Sequence, residues 1–155
     1  MVKNKVRPLV KVVFELGDDW HGFSSESVWA EKVSNNRCKL KNSPFYVKDV
    51  SLEDVIFVNK KSEGHFLFES ISLRGGHSTY RIVISKSTSE EYFEKYWNPL
   101  KQLGCSYEAV DNIYSVLAVD VPSNVDIYEV YERLSEGEKV NVWDFEEGHC
   151  GHTLR

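Results

Sequence analysis

The clearest alternation of apolar and polar positions lies in residues 75–85, which begin with a glycine pair and continue as a predicted strand. Tyr80, Ile82 and Ile84 fall on one face of that strand, because successive side chains of a strand point to opposite sides. Before this segment the pattern predicts strands, and after it predicted strands and helices alternate. We therefore interpret it as the junction of two modules and as the first strand of the second.

The first 76 residues are predicted to form a bent antiparallel β-sheet or a small barrel. Short apolar runs separated by polar turns predict five or six strands, a pattern typical of small barrels. Turns are predicted at Gly17-Asp18-Asp19 and at Ser34-Asn35-Asn36, whose residue types favour chain reversal. The predicted strands cover residues 9–16, 27–33, 37–41, 55–60 and 65–73, with a further short strand or extended segment at 42–47.

Residues 77–155 are predicted to form a ferredoxin-like half with the element order β-α-β-β-α-β. Asp126 is expected to cap the second helix and Gly137 to end it, while Asp111-Asn112 is a predicted turn between strands. Both helices should cover one face of a four-stranded antiparallel sheet. The whole chain is thus predicted to be α+β, as two subdomains, 1–76 and 77–155, or as one integrated domain.

The first helix of this half has two overlapping start signals and an internal proline. The pairs Ser87/Glu90 and Thr88/Glu91 both have capping-box spacing, which predicts a helix N-terminus here. Pro99 lies inside the apolar stripe that follows, so we expect the helix to be kinked or divided at that position.

The composition indicates a folded domain whose second half is acidic. Hydrophobic residues make up 41% and aromatic residues 13%, which argues against disorder. The formal net charge is −5, but residues 1–74 carry 12 Lys/Arg and 10 Asp/Glu, whereas residues 75–155 carry 7 and 14. Such a half repels free nucleic acid and attracts a basic partner. The alternative is that the acidic charge only keeps the surface soluble.

Cysteine usage and the lack of long apolar runs indicate a cytoplasmic protein. Cys38, Cys105 and Cys150 are odd in number and form no Cys-x-x-Cys pair, as expected for free thiols in a reducing compartment. The basic residues 1–8 are not followed by an apolar run of signal-peptide length. No stretch approaches the roughly 20 apolar residues that span a membrane, so no membrane partner is expected.

Four short segments, taken in order, carry a resemblance to a known family. They are Val28-Trp29-Ala30-Glu31, Asn42-Ser43-Pro44-Phe45-Tyr46, Gly76-His77-Ser78-Thr79 and Leu117-Ala118-Val119-Asp120-Val121-Pro122. In this arrangement the chain resembles the bacterial family catalogued as domain of unknown function 4265, over roughly residues 9–152. The resemblance implies a bacterial cytoplasmic protein and implies no particular activity.

The glycine pair and the residues after it form one candidate ligand site. Backbone N–H groups of glycines beside His77, Ser78, Thr79 and Arg81 have the chemistry of an anion-binding nest. Alternatively, the glycines bend a crossover and these side chains satisfy backbone groups at the module junction. The second interpretation is favoured because the loop leads into a strand and not into a helix, unlike a P-loop.

Metal binding and nucleophilic catalysis are not predicted. His149, Cys150 and His152 are too close in sequence for the usual structural zinc spacings and are interpreted as a tail. No cysteine lies in a recognisable nucleophile motif. We therefore assign no metal ligand, no cofactor and no catalytic residue.

An RNA-binding sheet is a further hypothesis, because some sheets of this architecture stack bases on exposed aromatic residues. Trp143 and Phe145 share one face of the last strand, with Asp144 on the other. The acidic residues around them oppose phosphate binding, and the alternative is that both rings pack under the helices.

The best-supported expectation from sequence is a non-enzymatic protein-binding module. Its most specific form is a bacterial immunity protein, as in contact-dependent inhibition, that covers the active site of a basic, nuclease-type toxin. Carboxylates would then stand in for substrate phosphates, with tyrosines as anchors. The predicted partner-binding residues are Tyr128, Glu129, Tyr131, Glu132, Glu136, Glu138, Asp144, Glu146 and Glu147. A ligand-binding protein or enzyme using residues 75–81, and an RNA-binding module, are the alternatives.

Overall fold

The computed structural model describes residues 7–17, 20–109 and 115–155, which form a mixed α+β structure. The strands of the first half are β1 (Leu9–Glu15), β2 (Ser25–Lys32), β3 (Arg37–Leu40), β4 (Val55–Ser62) and β5 (His65–Leu73). The second half contains β6 (Ser78–Ile84), α1 (Glu90–Leu103), β7 (Ser106–Ala109), β8 (Val116–Val121), α2 (Ile127–Lys139) and β9 (Trp143–His149). The predicted turns at Asp18-Asp19 and Asp111-Asn112 lie outside the described residues.

The first five strands close into a barrel in the order β1-β2-β3-β4-β5. Consecutive strands pair antiparallel, and parallel pairing of β1 with β5 closes the barrel, with Val12 opposite Phe66. Alternation along β1 buries Val10, Val12 and Phe14 in the interior. This arrangement agrees with the strands predicted for the first half.

The remaining strands form a four-stranded sheet in the order β7-β8-β6-β9, with antiparallel neighbours. Tyr80, Ile82 and Val119 on one face pack with buried residues of α1 and α2 in a single apolar core. Trp143, which is fully buried, also belongs to this core, and its indole Nε1 donates to the carbonyl of Leu134 in α2 at 2.9 Å. On the opposite face of the sheet, Thr79 and Arg81 are also buried.

The helix termini partly correct the sequence predictions. The N-cap of α1 is Ser89, whose hydroxyl accepts from the Tyr92 N–H at 3.1 Å, so neither predicted capping-box pair starts the helix. Thr88 instead donates its hydroxyl to the Val142 carbonyl, which fixes the chain one residue before the cap. The helix contains Pro99 and continues to Leu103.

The α2 helix starts where predicted but does not end where predicted. Asp126 is its N-cap and accepts from the Tyr128 N–H at 2.9 Å. The prediction that Gly137 ends it is wrong, because the helix continues to Lys139 and Gly137 is buried within it. A Cβ at Gly137 would lie 2.4 Å from the Trp143 ring, so the glycine provides space for the indole.

A connecting segment, residues 41–54 between β3 and β4, joins the barrel to the sheet and contains no strand. The Glu26 carboxylate of the barrel accepts from the N–H groups of Phe45, Tyr46 and Val47. On the sheet side, Glu108 of β7 accepts from the segment through the Asn42 side chain and the Ser43 N–H, both at 2.6 Å. Of the two alternatives predicted for residues 42–47, a short strand or an extended segment, the structure has no strand there, because carboxylates and not a neighbouring strand satisfy these amides.

Candidate functional site

A groove of about 670 Å³ lies between α2 and β9, beside the residues that follow β9. In the described part of the chain, β9 pairs with β6 alone, so its other side is a sheet edge. The edge of a sheet offers backbone N–H and C=O groups to another chain. The lining residues are Tyr80, Ile127, Tyr128, Tyr131, Glu138, Phe145, Glu146, Glu147, Cys150 and Leu154.

The structure brings five of the predicted partner-binding residues together in this groove: Tyr128, Tyr131, Glu138, Glu146 and Glu147. Tyr131 is 56% exposed, and its ring centroid lies 5.7 Å from that of Phe145 in an edge-to-face arrangement. Aromatic side chains of this kind supply large contact areas at protein interfaces.

The other predicted acids are not lining residues of the groove. Glu129, Glu132 and Glu136 are exposed elsewhere on α2, and Asp144 is exposed on β9. Glu136 also forms an ion pair with Arg133, with 3.3 Å between the nearest charged atoms. The acidic surface of the second half is therefore broader than the groove.

The charged side chains that line the groove are acidic. They are three carboxylates, of which Glu146 also forms an ion pair with Arg81 at 3.8 Å, and no lysine or arginine is among the described lining residues. Burial, and next the nearby Glu147 carboxylate, raise the pKa of the Tyr80 phenol, so this residue remains protonated as a hydrogen-bond donor. The groove is therefore suited to a cationic group.

Tyr80 and Phe145 are groove residues that the sequence did not identify. Alternation places each of them on the apolar face of its strand, which predicts burial in the core. Their rings lie 6.1 Å apart across the β6–β9 pair. They line the groove because the strand order places β9 at the edge of the sheet. The sequence pattern does not reveal that strand order.

Arg155 does not line the groove but stacks on the ring of Tyr128, which does. Its guanidinium carbon lies 4.5 Å from the centroid of the Tyr128 ring. The Arg155 N–H also donates to the Tyr128 hydroxyl at 2.5 Å. This cation–π arrangement is the one that arginines adopt on exposed tyrosines.

The four junction residues predicted as a possible ligand site do not converge on one point. Ser78 is fully buried and donates to His152 Nδ1 at 2.6 Å, since Nε2 of that ring donates to the Pro122 carbonyl. The Gly151 N–H donates to the same Ser78 hydroxyl. Ser78 is thus held as a structural link.

Thr79 and Arg81 connect the sheet to the connecting segment. The Thr79 hydroxyl lies 2.6 Å from that of Ser51, and both side chains are buried. Arg81, 1% exposed, donates through Nε to the Phe45 carbonyl at 2.5 Å and through its second terminal nitrogen to the Val47 carbonyl. Its charge is therefore directed at the segment.

Two structural features explain why glycine occupies positions 75 and 76. The Gly75 N–H donates to the Asp54 carboxylate at 2.9 Å, so a carboxylate of the chain itself already occupies this donor. A Cβ at Gly75 would lie 2.6 Å from the Glu53 carbonyl oxygen, and Gly76 has φ +85°. Only glycine fits both positions without strain.

His77 is the junction residue that faces open space. It lines a cleft of about 440 Å³ together with Lys39, Glu53 and Arg74. Its Nδ1 lies 2.8 Å from a carboxylate oxygen of Asp120. Burial raises the pKa of Asp120, and the His77 contact opposes that shift.

The described residues include the three cysteines and the candidate metal ligands of the sequence. Cys38 and Cys105 are buried, and burial raises the pKa of the Cys105 thiol to about 12. Across residues 7–17, 20–109 and 115–155, no group of three or more His, Cys, Asp or Glu side chains is placed to hold a metal ion. Neither helix is long and apolar enough to cross a membrane.

The face predicted for base stacking is covered by a helix. Trp143 is fully buried against α2, and Phe145 is half-buried between Tyr80 and Tyr131. A buried indole offers no face to a base.

His149, at the end of β9, predicts a dependence of stability on pH. Its Nε2 is buried and has no hydrogen-bond partner among the described residues. Burial, followed by the Arg74 charge, lowers the pKa of His149 below 6.5. The unfolded chain therefore binds more protons as pH falls through 6.5, and the free energy of unfolding should decrease. We expect the free energy of unfolding, measured with urea between pH 5 and 7.5, to depend less on pH in His149→Gln than in the wild type. Equal pH dependence of that free energy in both proteins would contradict this assignment.

Comparisons with known proteins give a family and a fold. The family model described as "Domain of unknown function (DUF4265)" matches residues 26–145. The structure is similar to the crystal structure of a hypothetical protein from Neisseria gonorrhoeae, with a TM-score of 0.73 and 14% sequence identity. That likeness covers 97% of this chain and 100% of the other, and it shows the fold alone. No curated protein matches the chain.

Proposed function

The chain belongs to the family of domain of unknown function 4265, and we propose that it is a non-enzymatic module that binds a basic protein. The most specific form of the proposal is a cytoplasmic bacterial immunity protein that neutralises a nuclease-type toxin by covering its active site. The observation that supports it is the groove between α2 and β9, whose described lining residues include exposed tyrosines and three carboxylates but no lysine or arginine.

Two physical properties of the groove favour a protein as its occupant. Carboxylates on a surface steer a cationic partner and discriminate against anionic ones, while tyrosines contribute most of the contact energy. The edge of β9 that is not paired with β6 can in addition receive an extended segment through backbone hydrogen bonds, except at Gly148, whose carbonyl already accepts from the Asp49 N–H. A nuclease is a suitable partner because its substrate site must itself be cationic.

We also propose that the second half has the ferredoxin-like arrangement and forms one of two subdomains divided near residue 76. The strand order β7-β8-β6-β9, with both helices packed on one face, supports the first statement. The separate apolar cores of the barrel and of the sheet support the second.

Charge reversal inside and outside the groove tests the proposed function. We expect Glu138→Lys with Glu147→Lys to weaken binding of the basic partner at least tenfold, because two attractive contacts become repulsive. The matched control, Glu129→Lys with Glu132→Lys, changes the net charge by the same amount on the α2 surface outside the groove and should weaken binding less than threefold. Partners are captured from the source organism with the wild-type chain, identified by mass spectrometry, purified and titrated against each variant.

An assay of nuclease inhibition then distinguishes an immunity protein from one that only binds the captured protein. The wild-type chain should inhibit the captured protein's nuclease activity at a one-to-one ratio, and the groove variant should not. Equal effects of both double variants would show that overall charge, and not the groove, determines binding. Recovery of only nucleic acid or a metabolite would overturn the proposal.

A small-anion site at the junction is the second candidate, and one observation favours it. His77 lines a cleft with two cationic side chains, Lys39 and Arg74. The cleft is not purely cationic, because Lys39 forms an ion pair with Glu53 and Arg74 forms one with Asp54. Titration with inorganic phosphate, followed by NMR, should shift the His77 ring signals if the cleft is used. Unchanged signals at millimolar phosphate would remove this alternative.

A further inference from the structure

Tyr80 supplies a hydroxyl to the groove from β6. Tyr80 is 4% exposed, lines the groove, and forms no hydrogen bond with any residue that the structure describes. A phenol that is almost completely buried normally has a partner, because a lost hydrogen bond is costly in a low-dielectric site. The hydroxyl of Tyr80 thus provides a hydrogen-bonding position for an occupant.

The surroundings of this hydroxyl define the occupant's shape and charge. The rings of Tyr131 and Phe145 form an apolar wall, and Phe145 in turn contacts the Tyr80 ring. Glu138 and Glu147 supply negative charge in the same groove. A side chain with a flat or long apolar stem and a cationic end would satisfy the aromatic surface, the phenol and the carboxylates together.

We propose that the groove contains a pocket for an arginine side chain of the partner, formed by Tyr80, Tyr131, Phe145 and Glu147. This proposal deepens the function proposed above and rests on it. The guanidinium lies against the Tyr131 and Phe145 rings, donates to the Tyr80 oxygen, and forms an ion pair with Glu147. The stacking of Arg155 on Tyr128 shows the same chemistry at another position of the groove.

Arginine fits better than lysine for two reasons. A guanidinium is planar and more weakly hydrated than an ammonium, so it can lie on an aromatic ring with less loss of hydration. Its five N–H donors can reach a phenol oxygen and a carboxylate at the same time, which the tetrahedral ammonium does less well.

The test uses the full chain and three acetylated, amidated hexapeptides in which serine alternates with arginine, lysine or citrulline. Citrulline has the shape of arginine without its charge. We expect the arginine peptide to bind the wild-type chain at least threefold more tightly than the lysine peptide and at least tenfold more tightly than the citrulline peptide. Tyr80→Phe should weaken arginine-peptide binding about tenfold, since it removes one charge-assisted hydrogen bond, and Glu147→Gln should have a similar effect.

Tyr92→Phe, the same change at an exposed tyrosine of α1, is the matched control and should leave binding unchanged. Thermal unfolding of each variant shows that the fold is retained. If the captured partner binds the wild type and Tyr80→Phe equally, or if citrulline replaces arginine without loss, the arginine pocket is wrong while the protein-binding function stands. If neither a basic protein nor any of the peptides binds, the proposed function itself fails.

Discussion

The Arg81→Met variant is expected to lose about 2–4 kcal/mol of unfolding free energy, because two carbonyls of half-buried residues in the connecting segment lose their charged donor. Methionine fills a comparable volume but donates no hydrogen bond. The lost ion pair with Glu146, 3.8 Å away, adds little, since that carboxylate is partly exposed. Urea unfolding followed by tryptophan fluorescence and circular dichroism measures the change.

A second substitution separates hydrogen-bond geometry from charge. Arg81→Lys keeps the charge but cannot reach both carbonyls with one planar fork, so it should recover less than half of the loss. Arg133→Met removes an exposed arginine whose ion pair with Glu136 is on the surface, and it should change stability by less than about 1 kcal/mol. Similar losses for Arg81→Met and Arg133→Met would show that the carbonyls of the segment do not depend on Arg81.

Arg81 also shows which part of the fold the sequence can predict. Alternation along β6 places Arg81 on the face opposite Tyr80 and Ile82, and the structure has this arrangement. The pattern does not indicate what covers that face. The acceptors are carbonyls of residues 45 and 47, in an irregular segment whose position depends on Glu26 and Glu108. Contacts between a strand and a distant loop have no periodicity in the sequence.

The residues of the groove, too, can be predicted from the sequence only in part. Tyr128 and Tyr131 are three residues apart, so helical geometry places them near each other. Glu129 and Glu132 follow each tyrosine by one residue and are rotated by about 100° around the helix. The sequence can therefore separate two surfaces of α2. Which of them lies beside β9 depends on how the helix packs on the sheet, and that is decided by buried residues such as Leu134 and Trp143.

At Gly137, a rule that commonly locates the ends of helices predicted the wrong end for α2. A glycine near the end of an apolar stripe commonly caps a helix, because it adopts positive φ without strain. In this chain the helix passes through Gly137, whose carbonyl accepts from the Val142 N–H at 2.9 Å. The reason for glycine is the missing Cβ, since the Trp143 indole occupies that volume.

Gly137→Ala is therefore expected to destabilise the protein by about 2–3 kcal/mol, although alanine is usually the better helix residue by about 1 kcal/mol. The added Cβ would lie 2.4 Å from a ring carbon of Trp143. The indole has little freedom to move, because it is fully buried and its Nε1 donates to the Leu134 carbonyl. Thermal and urea unfolding of the variant measure the loss.

Two comparisons show whether contact with the indole is the cause. Gly17→Ala places a Cβ where no atom of the described residues, its chain neighbours aside, lies within 4 Å, so it should be neutral or slightly stabilising. The double variant Gly137→Ala with Trp143→Phe should be more stable than the sum of the single changes predicts, by about 1 kcal/mol or more, because the smaller ring leaves room for the methyl group. Strict additivity in this cycle, or a Gly137→Ala protein as stable as the wild type, would mean that the helix can shift away from the sheet. Packing of α2 against β9 would then be looser than the groove geometry requires.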